Sequence, residues 1–253
     1  MKIYSENFVF NKTASVNSGT AHPNYPITNI STLIVAEQIR CSVAGGSGQL
    51  AFTIDMGAAK TCDYIVLGGK SFSDEMGLKV GVADNGADFE TSLISAQSTT
   101  SARNWAYAFT STTKRYWYIW LSNIVVNTDY IGILFLGGSY ETPHNEEPKI
   151  NLIDNFRGTN INNIFHRGQI RTKQADSRRG QSGIVLANMT ETQKDAFYAE
   201  FNSANTMNGI SQPFFIEEDD GTISYVKFEP KRYEYIKNIE ESYDIRFGVI
   251  EQL

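Results

Sequence analysis

Between Asn7 and Gly138 the apolar residues fall in short runs, either alternating with polar residues or continuous, and turn residues separate the runs. The runs are "QLAFTIDMG" (49–57), "CDYIVLGG" (62–69), "LKVGVA" (78–83), "NWAYAFT" (104–110), "RYWYIWLSN" (115–123) and "DYIGILFLGG" (129–138). Gly45-Gly46, Asp84-Asn85-Gly86 and Asn127-Thr128-Asp129 supply turn chemistry between them. A two-residue period broken in this way predicts β-strands and no helix. As a strand, "TKRYWYIWLSN" (113–123) puts Trp117, Ile119 and Leu121 on one face and Tyr116, Tyr118 and Trp120 on the other. Both faces are adhesive, so one should line a core and the other meet a second layer, a partner or a ligand. The pattern predicts an antiparallel β-sandwich over residues 1–139.

The stretch "SYETPHNEEPK" (139–149) breaks the pattern with two Pro, and residues 140–149 read as a linker. Beyond it, Thr190 with Gln193 forms a capping box, and Ala196, Phe197, Phe201 and Ala204 make an apolar stripe at helical spacing. "PFFIEEDDGTISYVKFEP" (213–230) sets Asp220-Gly221 between alternating segments, a hairpin signal. "YDIRFGVIEQL" (243–253) alternates Tyr243, Ile245, Phe247 and Val249 against a second face, a half-buried strand. Residues 150–253 therefore read as a small α+β unit.

A length of 253 residues suits one large or two ordinary domains, and 15 Phe, 13 Tyr and 20 Gly lean toward β structure. The net charge of -6 argues against nucleic-acid binding by bulk electrostatics. The charge is uneven: nine Lys and Arg stand against ten Asp and Glu before Tyr140, and thirteen against eighteen from there on. Cys41 and Cys62 make no disulfide framework and no metal spacing, and both read as buried thiols. The amino terminus has no apolar run of signal-peptide length, and no stretch approaches the ~18 apolar residues of a membrane span, so the expectation is a product made in the cytoplasm.

"HPNYPITNI" (22–30), "LAFTIDMG", "DYIVLGG", "VGVADNGADF" (80–89), "KRYWYIWLSN" and "YIGILFLGG" occur in the order found in discoidin-like, galactose-binding-like sandwiches, which the chain resembles over residues 15–138. The second half resembles, through "RRGQSGIVLANMTETQKDAF" (178–197), "QPFFIEEDDGTISYVKFEP" and the terminal strand, the tube-like barrel with one packed helix of bacteriophage distal and minor tail proteins. Familiar distal tail proteins carry the barrel first, whereas the order here is inverted. The fold class these resemblances imply is mainly β: a jelly-roll, galactose-binding-like sandwich followed by a smaller tail-tube-like barrel with one packed α-helix.

The galactose-binding-like resemblance implies a sugar site built from aromatic faces and an Arg. Arg103, Trp105, Tyr107, Tyr118 and Trp120 are the candidates, because rings offer apolar area to sugar C–H faces and a guanidinium fixes hydroxyls. Alternatively these rings fill the sandwich or a subunit contact. "DNGAD" (84–88) lacks later calcium ligands and reads as a turn. His22, His144 and His166 have no paired metal spacing, "GQSG" (180–183) is not a nucleophile motif and reads as a bend between strands, and no phosphate-cradling loop occurs. No catalytic residue, metal or cofactor is expected.

Arg157, Arg167, Arg171, Lys173, Arg178 and Arg179 form a basic patch opposed in that window only by Asp176. It could line a lumen crossed transiently by DNA, or meet the acidic Glu217, Glu218, Asp219 and Asp220 of a neighbouring copy in a head-to-tail ring; a solvated flank is the alternative. The tail resemblance implies a virion protein forming a homo-oligomeric, hexameric ring that contacts tail tube, hub and fibre proteins, with the sandwich facing outward toward a host-surface glycan. The alternative is a monomeric carbohydrate-binding or adhesin module.

Overall fold

The computed structural model describes residues 1–40, 48–71, 76–84, 91–98, 102–124, 129–142, 160–164, 170–174, 180–203, 211–218, 220–237 and 242–252. The chain is mainly β with one α-helix among the described residues. It divides into two compact units, Ile3–Tyr140 and Met1–Lys2 with Glu141–Leu253.

The first unit contains, in chain order, β1 (Lys2–Tyr4), β2 (Thr13–Ser18), a 3-10 turn (Ile27–Ser31), β3 (Ile39–Arg40), β4 (Leu50–Gly68) and β5 (Gly77–Ala83). There follow β6 (Thr91–Ser98), β7 (Trp105–Ser122), β8 (Tyr130–Ile131), β9 (Ile133–Gly137) and β10 (Tyr140–Glu141), the unit boundaries falling inside β1 and β10. The strand order is β2-β4-β7-β5-β6, with β9 on the far half of β4.

Runs that the sequence separates are fused here: 49–57 and 62–69 form one strand, β4, and 104–110 and 115–123 form another, β7. The chain does not reverse between the runs; each strand bends instead. Gly57 takes left-handed backbone at φ 77°, and the β4–β7 register shifts between Asp55 and Lys60. Such a shift bends a strand and sharpens its twist. Ile54 pairs with Trp117 before the bend and Ile65 with Tyr107 after it, while the rings of Phe109 and Trp117 approach to 5.8 Å. The sheet therefore curls over itself into a sandwich. Phe52, Ile54, Trp117 and Ile119 enclose one core with Ile65, Leu67, Leu134 and Leu136. The indole N–H of Trp117 is satisfied inside it by the Lys114 carbonyl at 3.1 Å. At the opposite end Gly69, with φ 58°, lets β4 close against the chain at Val35: an added Cβ would lie 2.3 Å from Val35 Cγ1.

In the second unit, the amide and hydroxyl of Thr142 donate to the Met1 carbonyl at 3.2 and 3.1 Å. Tyr140–Glu141, within the stretch assigned by sequence to a linker, form β10, and residues 143–149 lie outside the described ones. The unit continues with β11 (Asn160–Ile164), β12 (Ile170–Gln174), β13 (Gly180–Met189), α1 (Glu191–Asn202), β14 (Phe214–Glu217), β15 (Ile223–Lys237) and β16 (Tyr243–Glu251). β11 and β12 pair as a hairpin, and β14-β15-β16-β13 is an antiparallel, linear run of four strands. The expected capping box starts α1: Gln193 N–H donates to Thr190 Oγ1 at 3.3 Å and Thr190 N–H to Gln193 Oε1 at 2.8 Å. Phe197 stacks on Phe247 at 5.9 Å and Phe201 meets Phe228 edge-on at 4.9 Å, seating the helix. The stripe is narrower than its spacing implies, because Ala196 is exposed and the helix ends before Ala204, with Ser203 extended. The run at 180–183 is the start of β13 with a register shift, correcting the expected bend between strands.

Candidate functional site

The loop end of the sandwich, opposite the bend, carries the chemistry. His22, Pro23, Asn24 and Tyr25 form a turn in which Tyr25 N–H donates to the His22 carbonyl at 2.9 Å. Pro in the second position presets the backbone angle such a turn requires. His22 Nδ1 accepts the Asn24 N–H at 3.1 Å, which orients the imidazole, and its ring leans on Tyr25 with centroids 5.1 Å apart. The turn is fastened to β3 by His22 N–H donating to the Arg40 carbonyl at 2.9 Å, and β3 is fastened to β8 by the Arg40–Tyr130 pairing. Tyr130 in turn exchanges both backbone hydrogen bonds with Ser71, at 3.0 and 3.2 Å.

These short segments bring Arg40 between two rings. Its Cζ lies 4.3 Å from the Tyr25 centroid and 5.3 Å from that of Tyr130. Gln38 Oε1 accepts from Arg40 Nε at 3.2 Å and Nη2 at 2.7 Å, and the Gln38 carbonyl is held by Asn29 Nδ2 at 3.0 Å. A planar guanidinium fixed at an edge and flanked by aromatic faces is well ordered. Beside it a small, shallow cleft, open to solvent, is lined by Arg40, Asp129 and Tyr130 together with Ile39, Leu50 and Leu121. The arrangement offers ring faces, hydroxyls, an imidazole and a carboxamide to one small ligand.

No family model matches the chain, and no curated protein matches it. The chain is similar to solved structures over about half its length. A module from Clostridium perfringens in complex with GalNAc-β-1,3-galactose is 12% identical, with 53% of this chain and 99% of that one covered and a TM-score of 0.44. Chitosan-binding module 1 of a chitosanase/glucanase from Paenibacillus sp. IK-5 is 16% identical, with 52% and 98% covered and a TM-score of 0.42. The lectin domain of lectinolysin complexed with Lewis B antigen is 15% identical, with 54% and 99% covered and a TM-score of 0.40.

The five candidates from the sequence are split among three places. Arg103 is exposed at the same loop end, its carbonyl accepting the Lys70 N–H at 2.9 Å. Trp105 and Tyr107 stack on each other at 5.7 Å and turn inward, Trp105 being part of the core with 9% exposure. Tyr118 and Trp120 point outward from the other half of β7, since Trp117, Ile119 and Leu121 alternate with them into the core. They form no single platform because Trp105 and Tyr107 share the inward parity of β7 while Tyr118 and Trp120 have the outward one. The sequence reading missed Tyr25, Gln38, Arg40 and Tyr130: Arg40 and Tyr130 sit in two-residue strands, Gln38 just before one and Tyr25 in a turn, where no periodicity marks them, although "HPNY" is a readable turn.

Of the interface candidates, Arg157, Arg167, Arg178, Arg179 and Asp219 lie outside the described residues, and Arg171 belongs to β12. Glu217, Glu218 and Asp220 sit at the β14–β15 turn, where Asp220 Oδ1 accepts the Thr222 N–H at 2.8 Å. Cys41, His144 and His166 also lie outside, as do all but Asp84 of "DNGAD". Cys62 is a free, buried thiol pushed up in pKa by desolvation. Among the described residues there is no cluster of three His, Cys, Asp or Glu able to hold a metal, and no helix long and apolar enough to cross a membrane.

Proposed function

We propose that the first unit is a glycan-contacting module that takes a single sugar residue against the exposed ring surfaces beside Arg40. The observation that carries this reading is the seating of one guanidinium between Tyr25 and Tyr130 with Gln38 on its edge. A sugar ring has an apolar C–H face and a rim of hydroxyls. Tyr25 and Tyr130 supply ring area, and His22 and Gln38 supply polar groups within the same few residues. Arg40 acts as a positioning residue that keeps the two rings in fixed, half-exposed attitudes. The resemblance of residues 15–138 to galactose-binding-like sandwiches supports the same reading.

A glycan array probed with the full chain tests it. Binding to terminal-sugar glycans is expected, lost in Tyr25→Ala and strongly weakened in Arg40→Lys, which keeps the charge and loses the planar stack. No binding, or binding indifferent to both variants, overturns the reading.

A structural role in a phage tail tip is the second reading, and α1 seated by Phe197 and Phe201 on an antiparallel sheet favours it, since the tail resemblance implies one packed helix. On that reading the protein is a virion component whose second unit assembles as a ring. Light scattering of the purified chain tests it: a mass of several copies supports assembly, and a monomer at micromolar concentration refutes it.

A further inference from the structure

The outward face of the bent sheet, on the half formed by β2, β4, β7 and β5, carries a second constellation, distinct from the cleft at Arg40. Tyr116, Tyr118 and Trp120 alternate along β7, and four of their six neighbours across the sheet are small, the others being Asp55 beside Tyr116 and Lys79 beside Trp120. Tyr116 pairs with Ala83, Tyr118 with Gly81 on β5 and Thr53 on β4, and Trp120 with Ala51. Ala83, Thr53 and Ala51 are buried although they alternate with core residues and face outward. The rings of β7 stand beside these small residues, and the Arg115 guanidinium lies 4.9 Å from the Tyr116 centroid. Trp120 keeps 42% of its surface exposed, with Lys79 Nζ 5.5 Å from its centroid.

The surroundings select the occupant. A stable protein partner needs about 800 Å² from each side, whereas rings of 150–250 Å² when fully exposed leave on the order of 200 Å² here. The row is therefore too narrow for a stable second copy. The flanks are polar: Thr53 Oγ1 donates to Asn17 Oδ1 at 2.7 Å on one side, and Lys79 stands on the other. Asp55, on the same face, is matched by Arg115 through two hydrogen bonds of 2.8 Å, so the face presents no large charge of either sign. Residues two apart on a strand repeat every ~6.6 Å, and Tyr116 and Trp120 are ~13 Å apart, in one straight row.

We infer that this row binds a neutral, flat, β-1,4-linked oligosaccharide laid along β7, with C–H faces against Tyr118 and Trp120 and hydroxyls toward Asn17, Lys79 and Arg115. A straight ribbon of sugars follows the line of β7, whereas a branched or coiled glycan departs from it. The site stands whether or not the Arg40 cleft takes a sugar.

The test is titration of the full chain with cellohexaose and, separately, chitohexaose, followed by tryptophan fluorescence and acrylamide quenching. Trp105 and Trp117 are buried, so quenching reports chiefly on Trp120. Saturable protection of the fluorescence is expected with at least one hexasaccharide. Affinity should be lost in Trp120→Ala, largely kept in Trp120→Phe, and reduced by up to about tenfold in Tyr118→Ala. Tyr25→Ala should leave it unchanged, which separates this site from the cleft. Unaltered thermal midpoints in the three face variants establish that they fold. No protection by either sugar overturns the inference. So does binding that survives Trp120→Ala, or a concentration-dependent doubling of mass that itself shields Trp120.

Discussion

Phe109 and Trp117 belong to the same strand, yet their ring centroids are 5.8 Å apart. A straight strand would separate them by ~26 Å. The contact closes the sandwich: one ring lies on each side of the bend in β7, and the core fills the space they define. Trp105 shares the inward parity of Trp117 and Trp120 has the outward one, so two tryptophans of one strand have unrelated roles.

Trp117→Ala should cost about 3–5 kcal/mol, the usual range for truncating a fully buried aromatic. Trp120→Ala should change stability by less than about 1 kcal/mol, since the ring is at the surface. Urea unfolding of the two variants checks the contrast, and similar losses would mean the two faces are wrongly assigned.

Gly69→Ala should destabilise the chain through two causes at once. The residue has φ 58°, and the new methyl meets Val35 Cγ1 at 2.3 Å. A penalty of about 1 kcal/mol or more is expected from the backbone angle alone, and a lowered thermal midpoint measures it.

The Asp55 carboxyl is held below the usual carboxylate range, first by its hydrogen bonds from Arg115, with burial opposing and the Gly57 N–H assisting. A carboxylate with a depressed native pKa stabilises the fold above its unfolded pKa of ~4 and loses that contribution as pH falls through the lower native value. The pair is substantially exposed, so the effect is modest. The expected result is a wild-type melting temperature that declines on acidification below about pH 4, more steeply than that of Asp55→Asn. Parallel curves for the two proteins would contradict this.

Thr190→Ala removes the acceptor for the Gln193 N–H and opens the capping box. A loss of about 0.5–2 kcal/mol is expected. Loss of helical circular dichroism without loss of the tryptophan signal would locate the damage, because all three tryptophans precede Tyr140.

Patterns that depend on neighbours along the chain are legible in the residues alone. The alternation that sends Trp117, Ile119 and Leu121 into the core is a property of the strand itself, as is the alternation of Tyr243, Ile245, Phe247 and Val249, all of them buried. The Thr190–Gln193 box is equally local, since both partners lie within one turn of helix. These features follow from bond geometry and side-chain period, which a linear sequence contains in full.

What required the tertiary structure was the meeting of residues far apart in the chain. Whether the Gly57 region reverses the chain or only bends it depends on which strand lies alongside, and the long β4–β7 ladder made it a bend. The cluster at the loop end arose from Tyr25, Arg40 and Tyr130, drawn together by a turn and two very short strands that leave no period to read. Local chemistry fixes which face of a strand is apolar; only long-range pairing decides which of those faces end up beside each other.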